Sequence, residues 1–140
     1  MSVYLDASVL VALFIQEPHS ARAEEFVETC SAILVVSDFA RAEFASAVGR
    51  RTRMRDITLE QTGLIFMAFD TWARRGTERM ETGSSDIATA EQFFRRLDLN
   101  LRTPDALNIA LAKRIESDLV TFDSRMAGHA DALGARATLL

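Results

Sequence analysis

Apolar and polar positions fall along the chain in blocks whose period keeps changing. Val3-Tyr4-Leu5 is a short uncharged run, the pattern of a buried strand. It stops on Asp6, and Ser8 leads at once into Val9–Ile15, which predicts a helix buried on every side. Pro18 ends that helix, and a second is predicted from about Ser20 to Thr29, with Ala23, Phe26 and Val27 facing inward. Ile33–Val36 is a continuous apolar run, as expected of a parallel strand covered on both faces. Ser37 and Asp38 then offer caps for a helix reaching about Arg53.

The second half repeats the device. Thr58 and Gln61 form a capping-box pattern that opens a long helix through Leu64, Ile65, Met67, Ala68 and Trp72 to Arg75, with Gly76 closing it at C′. Glu78–Glu81 is the faintest element, a short polar edge strand. A helix from Ser85 or Asp86 carries Ile87, Ala90, Phe93, Phe94 and Leu97. Thr103-Pro104-Asp105 is a helix start, read as Thr103 at the N-cap and Pro104 at N1, continuing to about Ile115. Leu119–Phe122 is another buried strand, ending on Asp123. A short helix follows from Ser124 to Leu133, with Gly134 and a final strand at Ala137–Leu140 after it. Strands alternating with helices predict a single α/β domain over residues 1–140 with a mostly parallel sheet.

Composition narrows the class. Half the residues are apolar and a quarter charged, the profile of an ordinary globular domain long enough to bury a core. The lone cysteine, Cys30, excludes an internal disulfide framework and suits a reducing cytoplasm. No basic segment precedes Val9–Ile15, and seven apolar residues are too few to span a bilayer, so a cytoplasmic location is expected. The net charge of −4 argues against a general polyanion-binding surface unless four of the acids are neutralised by bound cations. Lys113 is the only lysine; the remaining basic charge is arginine.

Four acids stand where ligands bind in open α/β sheets. Asp6 and Asp123 each directly follow an apolar strand and therefore share the carboxyl edge of a parallel sheet. Glu43 lies two turns into its helix, beside Ala40, Phe44 and Ala47, at the border of the buried face. Asp105 opens the helix that leads into the Asp123 strand. Each also has a plainer reading: Asp6 and Asp123 as helix caps, Asp105 as a first-turn acid favoured by the helix dipole. Held together, the four would repel one another, and an all-oxygen set suits Mg²⁺ or Mn²⁺. No His/Cys set with zinc spacing exists, and His19 and His129 are read as surface residues near helix ends. Ser8 and Thr121 are placed to hydrogen-bond the carboxylates. Arg50, Arg51 and Arg53, in the run ending the Glu43 helix, are candidate contacts for phosphate or for an acidic partner segment, or simply arginines favoured at a helix C-terminus. Arg74-Arg75 and Arg95-Arg96 read as solvated surface, and Phe66, Phe69, Trp72, Phe93 and Phe94 as core or dimer packing.

The segments Tyr4–Leu10, Ser37–Glu43, Arg102–Leu107 and Val120–Asp123 together resemble a PIN-domain ribonuclease of the VapC toxin type, from end to end of the chain. That resemblance implies a PIN-like sheet flanked by helices on both faces, with Asp6, Glu43, Asp105 and Asp123 matching the family's catalytic and metal-binding acids. It further implies metal-dependent cleavage of RNA, a VapB-like antitoxin partner and a homodimer packed through Ile65–Trp72. Two positions depart from the pattern: Asn108 stands where many relatives carry His, and Ala7 where Thr is commoner. A non-catalytic PIN-like binding module is one alternative. An Asp6-nucleophile phosphohydrolase is another, disfavoured because the position two residues on is Ser8 and because Lys113 lies within a helix.

Overall fold

The computed structural model describes residues 1–140. Five strands, β1 (Ser2–Leu5), β2 (Ile33–Ser37), β3 (Glu78–Met80), β4 (Asp118–Thr121) and β5 (Ala137–Leu139), form one sheet in the order β3-β2-β1-β4-β5, every pair parallel. The helices are α1 (Ala7–Phe14), α2 (Ser20–Thr29), α3 (Asp38–Arg53), α4 (Leu59–Gly76), α5 (Ser84–Phe94), α6 (Thr103–Arg114) and α7 (Ser124–Ala132). From β1 the chain moves outward through β2 to β3, then crosses back to β4 on the other side. Right-handed crossovers therefore place α1–α4 on one face and α5–α7 on the other, as the packing of each group among its own members shows. The strand order reverses at β1, so a crevice opens beyond the carboxyl ends of β1 and β4.

Burial explains the strand compositions. Tyr4, Leu5, Val36, Leu119 and Val120 are fully enclosed because helices cover both faces of the central strands. The polar β3 sits at the sheet edge, where Glu78 and Arg79 reach solvent. On the α1–α4 face an aromatic cluster locks the layers: Phe14 makes edge contacts with Phe44, Phe69 and Trp72, and Phe44 lies 4.4 Å from Phe69 between ring centroids. Phe66 joins it at 6.3 Å, so these aromatics pack in or against the core, as does Phe93 of α5, whereas Phe94 at the end of that helix is exposed.

Several local expectations are corrected. Arg102, not Thr103, occupies the α6 N-cap with extended backbone and no side-chain cap bond, so Thr103 and Pro104 are both already helical. Proline is tolerated there because first-turn N–H groups have no helical partner. Gly76 is the last helical residue of α4, and extended Thr77 caps it, since β3 begins at once and no left-handed turn intervenes. The α5 helix ends at Phe94, leaving Leu97 outside it and almost fully exposed. The α1 helix is enclosed only along Val9, Leu10 and Ala12; Val11, Leu13 and Phe14 are half-buried. Between Ser37 and Asp38, Ser37 is the cap, accepting from the Ala40 N–H at 2.9 Å, while Asp38 ties down the Thr82 N–H and hydroxyl beyond β3. The Thr58–Gln61 capping box is present in full.

Phe44 is the hub of the aromatic cluster and has no exposed surface. Phe44→Ala should destabilise the protein by about 3–5 kcal/mol, the usual cost of emptying such a site. A urea unfolding midpoint close to wild type would show that the cluster collapses around the loss.

Candidate functional site

The crevice at the strand reversal is built by four short polar assemblies. Asp6 is buried at the end of β1, and its backbone N–H still pairs with the Val120 carbonyl of β4. Its Oδ1 accepts from the Ser8 hydroxyl at 2.6 Å and from the Val9 N–H at 3.2 Å; its Oδ2 accepts from the Thr121 hydroxyl at 2.7 Å. Asp6 is thus both the α1 cap and a carboxylate presented to the crevice. Ser8 also accepts from the Phe122 N–H at 3.0 Å, and Thr121 accepts from the Asp123 N–H at 2.9 Å. Two hydroxyls therefore stitch the turn after β1 to the turn after β4.

Asp123 caps α7 through Oδ1, which takes the Arg125 and Met126 N–H groups at 2.9 and 3.1 Å. Its Oδ2 faces Arg102, whose Nη2 donates at 3.0 Å. The same guanidinium grips Asp105 with two bonds of 3.1 Å. Asp105 is buried in the first turn of α6, so Arg102 lies over the mouth of the crevice as a fork across two acids.

The Glu43 carboxylate is held from below. Asn108 Nδ2 donates to Glu43 Oε1 at 2.9 Å and to the Pro104 carbonyl at 3.0 Å. Asn108 Oδ1 accepts from the Tyr4 hydroxyl at 2.7 Å, and that hydroxyl also lies 2.7 Å from Ser37 Oγ. Tyr4, Asn108 and Ser37 are all buried, and every buried polar side-chain atom of the chain has a partner. Asn108 is therefore the residue that orients Glu43, a use of its two-ended amide that only the structure reveals.

Electrostatics sets these acids apart from the surface ones. Burial raises the Asp6 carboxyl above its ordinary range, opposed by the bonds from Ser8 and Thr121. Glu43 is raised as well, first by burial, and further by the charges of Asp6 and Asp105, with Asn108 and Arg102 pulling the other way. The Tyr4 hydroxyl, chiefly through burial, stays protonated. Glu43 thus senses the charges of Asp6 and Asp105, and Arg102 joins Asp105 to Asp123, so the four acids are linked around one crevice. In the arrangement shown, no three of them close on one ligand point, and Arg102 is the cation among them.

Other candidates fall elsewhere. Arg50 and Arg53 are exposed at the end of α3 with no tie to the acids, while Arg51 pairs with Glu17 at 3.4 Å beside the crevice. Arg95 and Arg96 pair with Glu91 and Asp98 at the surface. Lys113 donates to the Leu133 carbonyl and lies over Phe93, so it supplies no cation to Asp6. His129 is half-buried in the last turn of α7; His19 is exposed but stacks on Phe122. Arg102 was missed as a site residue in the sequence because its role needs α6 and β4 brought side by side. Its neighbourhood in Arg102-Thr103-Pro104-Asp105 was the only available cue.

An all-parallel doubly wound sheet with acids gathered at its strand reversal defines an acid-centred α/β domain. The chain belongs to the PIN-domain family, whose model matches residues 3–132. Among solved structures, it is similar in fold to the Mycobacterium tuberculosis toxin VapC20, described as cleaving the sarcin–ricin loop. That match has 14% identity and a TM-score of 0.71, over 91% of this chain and 94% of the other. It is likewise similar to VapBC2 from Rickettsia felis bound to a promoter DNA fragment, at 13% identity and TM-score 0.73, over 99% and 98% of the two chains. FitAcB from Neisseria gonorrhoeae matches at 14% identity and TM-score 0.73, over 98% and 96%. A comparison with curated protein sequences finds no match. No helix is long and apolar enough to cross a membrane.

An acid whose folded-state pKa lies above its unfolded value keeps its proton longer when folded. Folding stability therefore falls as pH rises from the ordinary values of 3.8 for Asp6 and 4.5 for Glu43 through their raised ones. Without added metal, these two acids should lower the melting temperature at pH 7.5 relative to pH 4.5. Asp6→Asn, which keeps a good N-cap, should flatten that slope and raise Tm at pH 7.5 by several degrees. Calorimetry at the two pH values checks this; an unchanged or steeper slope in Asp6→Asn would contradict the assignment.

Proposed function

We propose that the protein is a metal-dependent endoribonuclease, the toxin of a toxin–antitoxin pair, working through Asp6, Glu43, Asp105 and Asp123. The observation that carries this reading is the crevice itself: four carboxylates from four elements facing one opening at the strand reversal, with buried Asp6 and half-buried Glu43 both raised by desolvation. The donors are all oxygen, the chemistry of Mg²⁺ or Mn²⁺, and the arginine fork across Asp105 and Asp123 marks a place where positive charge is stabilising. Asp6 and Asp105 would hold the metal, with Glu43 and Asp123 completing the set.

Bound there, a divalent ion supplies an activated water at neutral pH and neutralises charge on the phosphate. The chain's own residues do the rest. Ser8 and Thr121 fix the rotamer of Asp6, and the Tyr4–Asn108 relay fixes that of Glu43, so these two carboxylates are oriented in advance. Arg102, largely exposed, is free to leave the acids when a stronger cation enters and to meet a substrate phosphate. Fold likeness to VapC20, VapBC2 and FitAcB supports RNA as substrate and a VapB-like antitoxin as partner. The exposed apolar residues Leu64 and Met67 on α4, beside half-buried Trp72, form the surface for the antitoxin or a second copy.

Purified wild type should cut RNA in a mixed panel of structured substrates with Mg²⁺ or Mn²⁺, stop in EDTA, and lose cleavage entirely as folded Asp6→Asn. An active Asp6→Asn protein would sink the assignment, and metal binding by calorimetry without cleavage of any RNA would favour a binding module. Arg102→Ala removes the internal cation that a metal must displace. It should therefore bind Mn²⁺ several-fold more tightly than wild type by isothermal titration, whatever its effect on cleavage. Weaker binding would show that Arg102 organises the acids instead of competing for them.

A further inference from the structure

Beside the acids lies a second feature that shares Glu43 and Ser8 with them. A cavity of about 330 Å³ opens between Ser8 and Val11 of α1, Glu43 and Ala47 of α3, and the pair His19–Phe122. The two rings are stacked, with centroids 4.3 Å apart and planes 21° from parallel. His19 comes from the loop before α2 and Phe122 from the turn after β4, so the pair bridges two segments far apart in sequence. His19 stands at the N-cap of α2 without making a side-chain cap bond, and it remains exposed although one face rests on Phe122. Capping does not account for the ring, and the residue is exposed.

Building on the nuclease reading above, we propose that this cavity is a nucleobase subsite, in which His19 and Phe122 form the stacking surface for one unpaired base next to the scissile phosphate. Three features select this ligand. The volume lies at the low end for ligand cavities, which run from about 300 Å³ upward, so it takes a single planar ring rather than a helix of a partner protein. Every base offers a π-face, and aromatic stacking is the general means of holding single-stranded RNA. The walls are also shared with the acids: Glu43 lines both, Ser8 bonds Asp6, and the Phe122 N–H donates to Ser8. A base seated there would adjoin a phosphate held at the carboxylates.

Polar groups complete the subsite. Glu17 lines the same cavity and presents carboxylate oxygens suited to the exocyclic amino group of adenine, cytosine or guanine. Its other neighbour is Arg51 at 3.4 Å, which brings a guanidinium to the cavity rim, where the adjoining phosphate would pass. Of the basic run at the end of α3, Arg51 is the residue the structure ties to this place.

The test compares wild type, His19→Ala and His19→Phe on a pool of randomised single-stranded RNA with Mn²⁺, sequencing the cut ends. KM and kcat are then measured on one oligonucleotide carrying the preferred site. Binding of fluorescein-labelled rA, rC, rG and rU octamers is followed in parallel by anisotropy. Wild type should show a base preference at one position flanking the cut. His19→Ala should lose it and raise KM roughly tenfold at nearly constant kcat, with octamer affinity falling in step. His19→Phe, which keeps the stacking face, should restore both.

If wild type cuts while His19→Ala matches it in KM and base preference, the subsite is overturned and the nuclease stands; a groove reserved for a partner protein would give that result. If His19→Phe is as impaired as folded His19→Ala, stacking is overturned as the role of His19. RNA bound but never cut, with affinity lost in His19→Ala, keeps the subsite and refutes the nuclease. A wild type that neither cuts nor binds overturns both.

Discussion

The parallel pairing of β1 with β4 is the constraint on which the rest of the molecule depends. Because Leu5 pairs with Val120, the turns that follow the two strands emerge side by side. Asp6, Ser8, Thr121, Phe122 and Asp123 are then neighbours although more than a hundred residues separate their two segments. A register shift of one residue would turn the whole set to the other face of the sheet. The hydroxyl bonds of Ser8 and Thr121 act across this junction, fixing the register locally while aiming the Asp6 carboxylate. Structure and site share the same few bonds.

The crevice is also where the fold carries unfavourable charge. Asp6 is buried, Glu43 is half-buried and repelled by its neighbours, and both would be better neutralised. The surrounding structure tolerates this because the core is stable elsewhere: the aromatic cluster around Phe44 on one side of the sheet, and the close packing of α6 against α5 on the other. Asp86 and Arg114 show the alternative treatment of a buried acid. There the carboxylate is fully sealed by a two-bond arginine fork of 2.7 and 3.1 Å, presenting nothing to solvent. In the crevice the corresponding arginine, Arg102, is largely exposed and divided between two acids, an arrangement that holds charge without closing the site.

The His19–Phe122 stack and the acids are two halves of one surface in this view. The acids sit at strand ends and on helices, which are rigid, whereas His19 sits at the end of a loop, which is freer to adapt. The Tyr4–Asn108–Glu43 relay extends the rigid half into the core, so that the carboxylate at the mouth is coupled to a buried ring at the centre of the sheet.

By itself the sequence determined the order and type of nearly every element, because apolar runs and caps are local signals. Thr58 with Gln61 and the buried strand runs are of this kind, and so is the placement of Asp6 and Asp123 at strand ends. It misjudged the details where a local rule competes with a neighbour outside the window. Arg102 displaced Thr103 as cap because its side chain has acids to meet, and Gly76 stayed helical because β3 follows immediately. The PIN family was legible through its four spaced acidic segments, but the geometry of the acids was not. Which residue orients Glu43, that a guanidinium lies across Asp105 and Asp123, and that His19 meets Phe122 all depend on contacts between segments remote in the chain. Sequence spacing carries no information about such contacts until the sheet order brings the segments together; only the tertiary structure decided them.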